Sequence, residues 1–545
     1  MSVFIGYPSF MAYQMMKGKK GNNDGFPSIP GMIARYSALG LTNEQMAENP
    51  VWKDLTGNGY DLQMKNFAWK WMSGIGGYVT NKDIYEYDLD RYSYTFIESG
   101  TKVHDFYIVF ELIGYDENFK DGFNLDVRSI SQGLKYRKTY TKNGIYIFQY
   151  KDEEGLDDLF AIGYNGNGGA RSNFTVKVLP LYPGALVFDG VDDYGVCDNF
   201  PILTKEKGYT VVALRQWITR GKGALGLVSN VKNWLKDGAF LLEYRNIQAD
   251  HLNKPISFGA IGSEGDLPHI LTYQASKSYN GVSITTGNFE GTDVLHVGKL
   301  APTNVGTCIN AAIWELVFLD HDATEEELTK IKDYFVKTYP WLFPDQAWTV
   351  TGKTNEDEDR ATIANITGNG NDLILSNFGF AEGSGYNEEG EYAGYLVTDG
   401  VDDIASSNTI IYEADFTFIG EWKFIQKDDT VAGINSSSHL YIQNRYNRGA
   451  TVMMNSTFEN KKNITDYMTF KAITSKGKAY DENWNEVDLL YGDGNKGTSG
   501  VNIGGQGGTE FCHMIFKNMA LYMNKVFSKD DCIKAYNYLQ TLKAK

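Results

Sequence analysis

Short runs of aromatic and β-branched residues, bounded by glycine, asparagine and aspartate, recur along the whole chain. That is the pattern of strands with a core-facing side. Such runs lie at Tyr92-Ser-Tyr-Thr-Phe-Ile97, His104 to Leu112, Leu134 to Tyr150, Phe174-Thr-Val-Lys-Val-Leu179, Ala185 to Asp189, Tyr209 to Val212, Ile313 to Leu319 and Met519 to Met523. Lys142-Asn-Gly144 breaks the third run and predicts a hairpin, because Asn-Gly accepts the positive φ angles of a tight turn. Two stretches change to helical spacing. One starts at Thr324, with Glu327 placed for a capping box and Leu328, Ile331, Tyr334 and Phe335 on one face. The other starts at Ser528, with Asp531 as its cap partner and Ile533, Tyr536 and Leu539 following.

The pattern occurs twice. Asp54-Leu-Thr-Gly-Asn-Gly-Tyr-Asp61 returns as Asn365-Ile-Thr-Gly-Asn-Gly-Asn-Asp372, an offset of 311 from Thr56 to Thr367. Asn66-Phe67 returns as Asn377-Phe378. Asp189-Gly-Val-Asp-Asp193 returns as Asp399-Gly-Val-Asp-Asp403, an offset of only 210 from Asp189 to Asp399. Matched blocks in fixed order mark an internal duplication, and the drop in offset puts about 101 extra residues into the first copy. The expected division is an arm over 1–34, a first domain over 35–80 plus 185–340, an inserted β-subdomain over 81–184, a linker over 341–347 and a second domain over 348–545. An insertion of that size is tolerated at an exposed loop tip. The linker Pro340-Trp-Leu-Phe-Pro344 reads as stiff and packed.

Length and composition narrow the class. A chain of 545 residues is too long for one core. Its 36 Tyr, 30 Phe and 58 Gly against 12 Pro favour an all-β fold of aromatic strands and glycine turns. A net charge of −17 argues against a nucleic-acid partner, which requires a basic footprint. No apolar run is long enough to span a membrane, and the first residues lack a signal peptide. Cys197, Cys308, Cys512 and Cys532 are too few and scattered for a disulfide framework, so buried thiols are expected.

Trp52-Lys-Asp-Leu-Thr-Gly-Asn-Gly-Tyr-Asp61, Leu186-Val-Phe-Asp-Gly-Val-Asp-Asp193, and then a strand leading to a short capped helix resemble the laminin-G-like, concanavalin A-like jelly-roll family. Val501-Asn-Ile-Gly-Gly505 is similar to the glycine turn before that family's final strands. The resemblance implies two tandem jelly-roll sandwiches, each closed by a short C-terminal helix. Gly352-Lys-Thr-Asn-Glu-Asp-Glu-Asp359 ahead of Ile366-Thr-Gly-Asn-Gly-Asn-Asp372 also resembles virion proteins of tailed crAss-like phages of gut bacteria. That resemblance implies a head or tail fibre or a decoration on the particle surface, synthesised in the host cytoplasm. It would be anchored to other virion proteins by the N-terminal arm and would be a homo-oligomer.

The chemistry is weighed residue by residue. The carboxylates of Asp189, Asp192 and Asp193, and of Asp399, Asp402 and Asp403, could hold Ca²⁺, but Asp-rich glycine turns bond their own backbone. Asp481-Glu-Asn-Trp-Asn485 starts like an EF-hand loop and then departs, with Glu486 and Gly492 where Gly and Glu are needed. Gly163 to Gly169 and Gly504 to Gly508 lack the strand, helix and Lys-Ser/Thr of a phosphate cradle. No HExxH or GxSxG occurs. Trp69, Trp71, Trp234 and Trp484 are candidates for a sugar-stacking platform, with core packing as the competing role. The expectation is therefore a non-enzymatic, lectin-like virion protein that adheres to host or mucosal glycans, with no catalytic, cofactor or metal residues. Alternatives are a carbohydrate-active enzyme acting on capsular polysaccharide and a bacterial surface adhesin.

Overall fold

The computed structural model describes residues 24–544 except 79, 89–92, 99–104, 119–120, 153, 166–172, 204–206, 219–224, 231–240, 245–257, 261–268, 275–291, 300–307, 426–430, 437–438, 445–449, 454–461, 464–468, 489–495 and 507–509. The chain divides into two compact units, the first ending at Thr338 and the second running from Tyr339 and also taking in Gly144–Tyr146. Most of the expected arm, residues 1–23, lies outside the described residues.

Both units use one strand order. In the first, a sheet runs His269–Gln274, Thr210–Trp217, Asn310–Leu319, Leu186–Asp189, Gly74–Ile75, with Met32–Ser37 also pairing on Asn310–Leu319. In the second, Ala472–Thr474, Phe416–Phe424, His513–Met523, Tyr395–Asp399 and Gly385–Asn387 follow the same sequence, and Gln346–Thr349 takes the extra place on His513–Met523. The opposing sheets also correspond. Val51–Trp52, Leu62–Lys65, Tyr194–Cys197, Leu295–Val297 and Leu225–Ser229 are matched by Thr362–Ile363, Leu373–Ser376, Ile404–Ser406, Asn502–Ile503 and Val431–Ser436. Side chains from both sheets meet in one core per unit: Leu186, Ile313 and Phe318 against Leu62, Val228 and Leu295 in the first, and Leu396, Phe418 and Leu521 against Leu373, Ile434 and Ile503 in the second. Each unit is thus a β-sandwich whose central strands are buried on both faces, which is why they read as continuous apolar runs.

The helices form where their caps place them. The helix Glu325–Thr338 begins behind Thr324, whose backbone N–H donates to Glu327 Oε2 at 2.8 Å while Glu327 N–H donates to Thr324 Oγ1 at 3.3 Å. The helix Lys529–Gln540 starts with Asp531 N–H donating to Ser528 Oγ at 3.2 Å. Pro340–Leu342 is a single 3₁₀ turn that buries Trp341 and Leu342. All four cysteines are buried free thiols. Among the described residues no helix is long and apolar enough to cross a membrane.

Among its described residues the 81–184 segment holds eight strands, more than the aromatic runs in its sequence mark. One antiparallel sheet is Gly144–Lys151, Asp105–Ile113, Phe174–Val178, Ile84–Tyr87, and the other is Ser93–Ile97, Leu159–Asn165, Phe123–Ser129, Gly133–Tyr140. The Asn143-Gly144 hairpin is corrected: Gly133–Tyr140 and Gly144–Lys151 belong to different sheets and do not pair. Asn143 instead brackets Tyr115, accepting its N–H at 2.7 Å and donating to its carbonyl at 2.8 Å. The turn residues fit, but the chain crosses from one layer to the other.

Candidate functional site

The most faithfully repeated residues build turns. Asp54 Oδ1 accepts the backbone N–H of Arg35 at 3.2 Å and of Thr56 at 3.0 Å, Asp61 Oδ1 accepts Asp54 N–H at 3.0 Å, and Asn58 Nδ2 donates to Ile33 O at 2.8 Å. Asn365, Asp372 and Asn369 repeat this in the second unit, Asn365 Oδ1 accepting from Ala347 N at 3.2 Å. The two Asp-Gly-Val-Asp-Asp turns are spent in the same way. Asp193 accepts Ser73 Oγ–H at 3.0 Å and Asp189 N–H at 3.1 Å, while Asp189 Oδ1 accepts Val191 N–H at 2.8 Å. Ser384, Asp403, Asp399 and Val401 reproduce it. The oxygens in each cluster lie within 4.8 Å of one another, and the backbone bonding accounts for the residue types. Burial, with the charges of Asp189 and Asp192, pushes the Asp193 carboxyl up to about 7.

These turns hold a loop. Asn66 Nδ2 donates to Asp192 O at 3.0 Å, Ser73 Oγ accepts Ala68 N–H at 2.8 Å, and Lys70 and Ser73 exchange both backbone hydrogen bonds. In this clamp Trp69 and Trp71 both sit at φ 53°, the left-handed region that a bulky side chain normally avoids. Strain at such a residue persists where the surroundings over-determine it, and it collects at functional positions. The second unit keeps the clamp, with Asn377 at φ 68° and Phe380 at 48°. At the loop tip it diverges: Ala381 stands at the position of Lys70 and Glu382 at that of Trp71.

That tip faces a cleft of about 440 Å³. Its lining combines Asn43, Glu44, Trp69, Lys70, Trp71 and Tyr78 with Lys82, Asp83, Ile84, Glu86 and Tyr94 from the start of the 81–184 segment. Trp71 is half-buried, its indole N–H donating to Asn81 Oδ1 at 2.8 Å and the Lys70 ammonium lying 4.4 Å from its ring centre. Tyr78 N–H donates to Trp71 O at 2.6 Å, fastening the loop to the cleft lining. Tyr94 O–H donates to Glu86 O at 2.7 Å and its ring packs edge-on to Tyr85 and Tyr87. Burial foremost, then the charge of Glu44, raises the Asp83 carboxyl above the usual carboxylate range. Burial foremost, then Asp83 and Glu44, raises the Tyr78 hydroxyl as well. Neutral apolar ring faces beside a few charged groups are what a small polar ligand with hydrocarbon faces requires.

Of the tryptophan candidates, Trp69 and Trp71 come together in this cleft, although Trp69 also stacks on Phe67 at 4.7 Å against the core. Trp484 is core, buried against Tyr480 and Tyr536. Trp234 lies outside the described residues, as do residues 166–169 and 507–508 of the two glycine stretches. Asp481 accepts the N–H groups of Asn483 and Asn485, each at 2.8 Å, and so closes its own turn. Sequence reading missed Glu44, Tyr78, Asp83 and Tyr94. No motif joins them, and a fold is needed to bring them to one cavity.

No family model matches the sequence, and no curated protein matches it. Among solved structures the chain is similar to a Trypanosoma rangeli sialidase in complex with sialic acid, at 11% identity, over 82% of this chain and 84% of that one, with a TM-score of 0.27. A mutant of the same sialidase displaying trans-sialidase activity matches at 8% identity, over 82% and 83%, with a TM-score of 0.27. The binding domain of botulinum neurotoxin DC in complex with SialylT matches at 10% identity, over 90% and 99%, with a TM-score of 0.17. The expectation of a non-enzymatic chain is corrected by these matches, because the sialidases are enzymes. It rested on missing motifs, and paired carboxylates that act on a sugar have no motif; their separation is a property of the fold. At these TM-scores the likeness carries no argument for a particular reaction.

Proposed function

We propose that this chain is a carbohydrate-binding β-sandwich protein whose sugar site is the cleft between Trp71 and Tyr94. The observation that carries this reading is Trp71 itself, held half-buried in a left-handed conformation at the mouth of a cleft by a clamp whose other copy ends in Glu382. The core residue Trp484 shares the left-handed conformation at φ 62°, so what distinguishes Trp71 is that its ring stays half-exposed on the cleft. A stacking platform needs that, since the C–H face of a pyranose covers an indole ring while charged groups around it engage hydroxyls or carboxylates. The 81–184 segment supplies part of the lining, which gives the insertion a role. The test is retention of the intact protein on a glycan array spanning neutral, uronic and sialylated saccharides, repeated with Trp71→Ala.

The jelly-roll assignment and the domain boundaries given above belong to this proposal. So does the setting, a virion surface on which the arm over 1–34 docks with other virion proteins and the chain assembles as a homo-oligomer to meet host or mucosal glycans. The setting rests on the sequence resemblance alone. Mass spectrometry and immunogold labelling of purified particles test it: absence of the chain from them removes the setting and leaves the sugar site untouched.

A further inference from the structure

The cleft holds more than a platform needs. Two carboxylates, Glu44 and Asp83, line the same cavity as the Trp71 ring. Tyr78, half-buried, lines the cavity too and its hydroxyl feels the charge of both. Other polar groups on the walls are already engaged: Asn43 with the backbone of Ile75, Asn81 with Trp71 and Thr95, and Thr80 with Lys82 O. The other polar groups of the lining are ionisable ones, among which the Asp83 carboxyl also meets the backbone N–H groups of Asp83 and Ile84.

We infer that the cleft also cleaves glycosidic bonds, with Asp83 as proton donor to the leaving oxygen and Glu44 as the base that activates water. The inference rests on the reading of the cleft as a sugar site. In the step, the C1–O bond of a sugar stacked on Trp71 breaks and the Asp83 carboxylic proton passes to the departing oxygen. Water adds to C1 as Glu44 takes its proton. Glu44 then carries a proton and Asp83 a charge, and exchange through solvent restores both. Two carboxyls beside a bound sugar are the usual apparatus of this reaction. Asp83 is half-buried, and burial foremost, then the charge of Glu44, holds its carboxyl above the ordinary range against the opposing backbone N–H groups of Asp83 and Ile84 and the charge of Lys177; Glu44 is exposed. Lys70 and Lys82, over the rings of Trp71 and Tyr94, and Glu86 complete the charges around the cavity.

The experiment incubates the full-length protein with the glycans it retains on the array and with aryl glycosides of the same sugars, and measures new reducing ends and aryl release. The wild type is expected to turn over. Asp83→Asn is expected to lower kcat on the natural glycan by at least ~100-fold with KM moved by less than ~3-fold, the scale of a lost general acid. Its loss on an aryl glycoside with an acidic leaving group is expected to be smaller, because that group departs without a proton, whereas Glu44→Gln loses equally on both. Retention without release of reducing ends overturns the inference and leaves the binding reading intact. Retention of no glycan overturns both. Full turnover by either variant also overturns it, as does an Asp83→Asn loss that does not depend on the leaving group.

Discussion

Trp71 is the position where fold and function make opposite demands, so its replacement by alanine and by glycine separates them. A residue with a Cβ at φ 53° bears a cost of about 1–2 kcal/mol that glycine escapes. At an ordinary position glycine is less stable than alanine by roughly 0.5–1 kcal/mol, through its greater freedom in the unfolded chain. At Trp71 the two terms oppose, so Trp71→Gly should be at least as stable as Trp71→Ala, by about 0–1.5 kcal/mol. Both variants lose the indole bond to Asn81, a net contribution of about 1 kcal/mol. For binding the two should be alike. A sugar covering about 80 Å² of ring at about 25 cal/mol per Å² gains about 2 kcal/mol, so either change should weaken binding by about 30-fold. Isothermal titration calorimetry with the best array glycan measures the second quantity and urea denaturation the first. Kd values within about threefold of wild type, a change worth only about 0.7 kcal/mol, would refute the platform. An alanine variant more stable than the glycine variant by 1 kcal/mol or more would refute the clamp, since that is the ordinary order.

Ser73→Ala should cost about 1–3 kcal/mol in urea denaturation, because it leaves a buried Asp193 oxygen without its donor. It should also weaken glycan binding through the loop, whereas Ser384→Ala should cost a similar stability and leave binding unchanged. Asp193, raised to about 7 from an ordinary value near 3.8, contributes stability that is fully present below about pH 4 and is lost as pH rises through 7. Melting temperatures of wild type and Asp193→Asn should therefore converge at low pH, with the wild type falling behind between pH 4 and 7; parallel curves would contradict this. Thr324→Ala and Ser528→Ala should each cost about 1 kcal/mol through loss of a helix cap, and a thermal melt unchanged by either would show that cap to be idle.

What could be read from the sequence was what is local or repeated. The capped helices at Thr324 and Ser528 and the long central strands each lie in a single window, and the structure has them. Phe123–Ser129 escaped notice because it does not alternate. It is buried at nearly every position, and the Asp126 that interrupts it is neutralised by Arg128 and Arg137 at 2.9 and 2.7 Å. The Asn143-Gly144 turn was misread because turn chemistry specifies a reversal without specifying which strands it pairs. The site was half legible: Trp69 and Trp71 stood out as aromatics, but the cavity is assembled from Asn43 to Tyr94 across the start of an insertion. The blocks that repeat most plainly proved to be the clamp, and the residues that differ at its tip are those that face the cleft.

The central claim is that a sugar lies on Trp71 inside this cleft. Tryptophan fluorescence or indole N–H resonances recorded while a retained glycan is titrated into the protein test it most directly. The account predicts saturable changes at Trp71, with Trp484 unmoved in its core and the response abolished in Trp71→Ala. Saturable binding that leaves the Trp71 resonance in place, or that persists unchanged in Trp71→Ala, would contradict it.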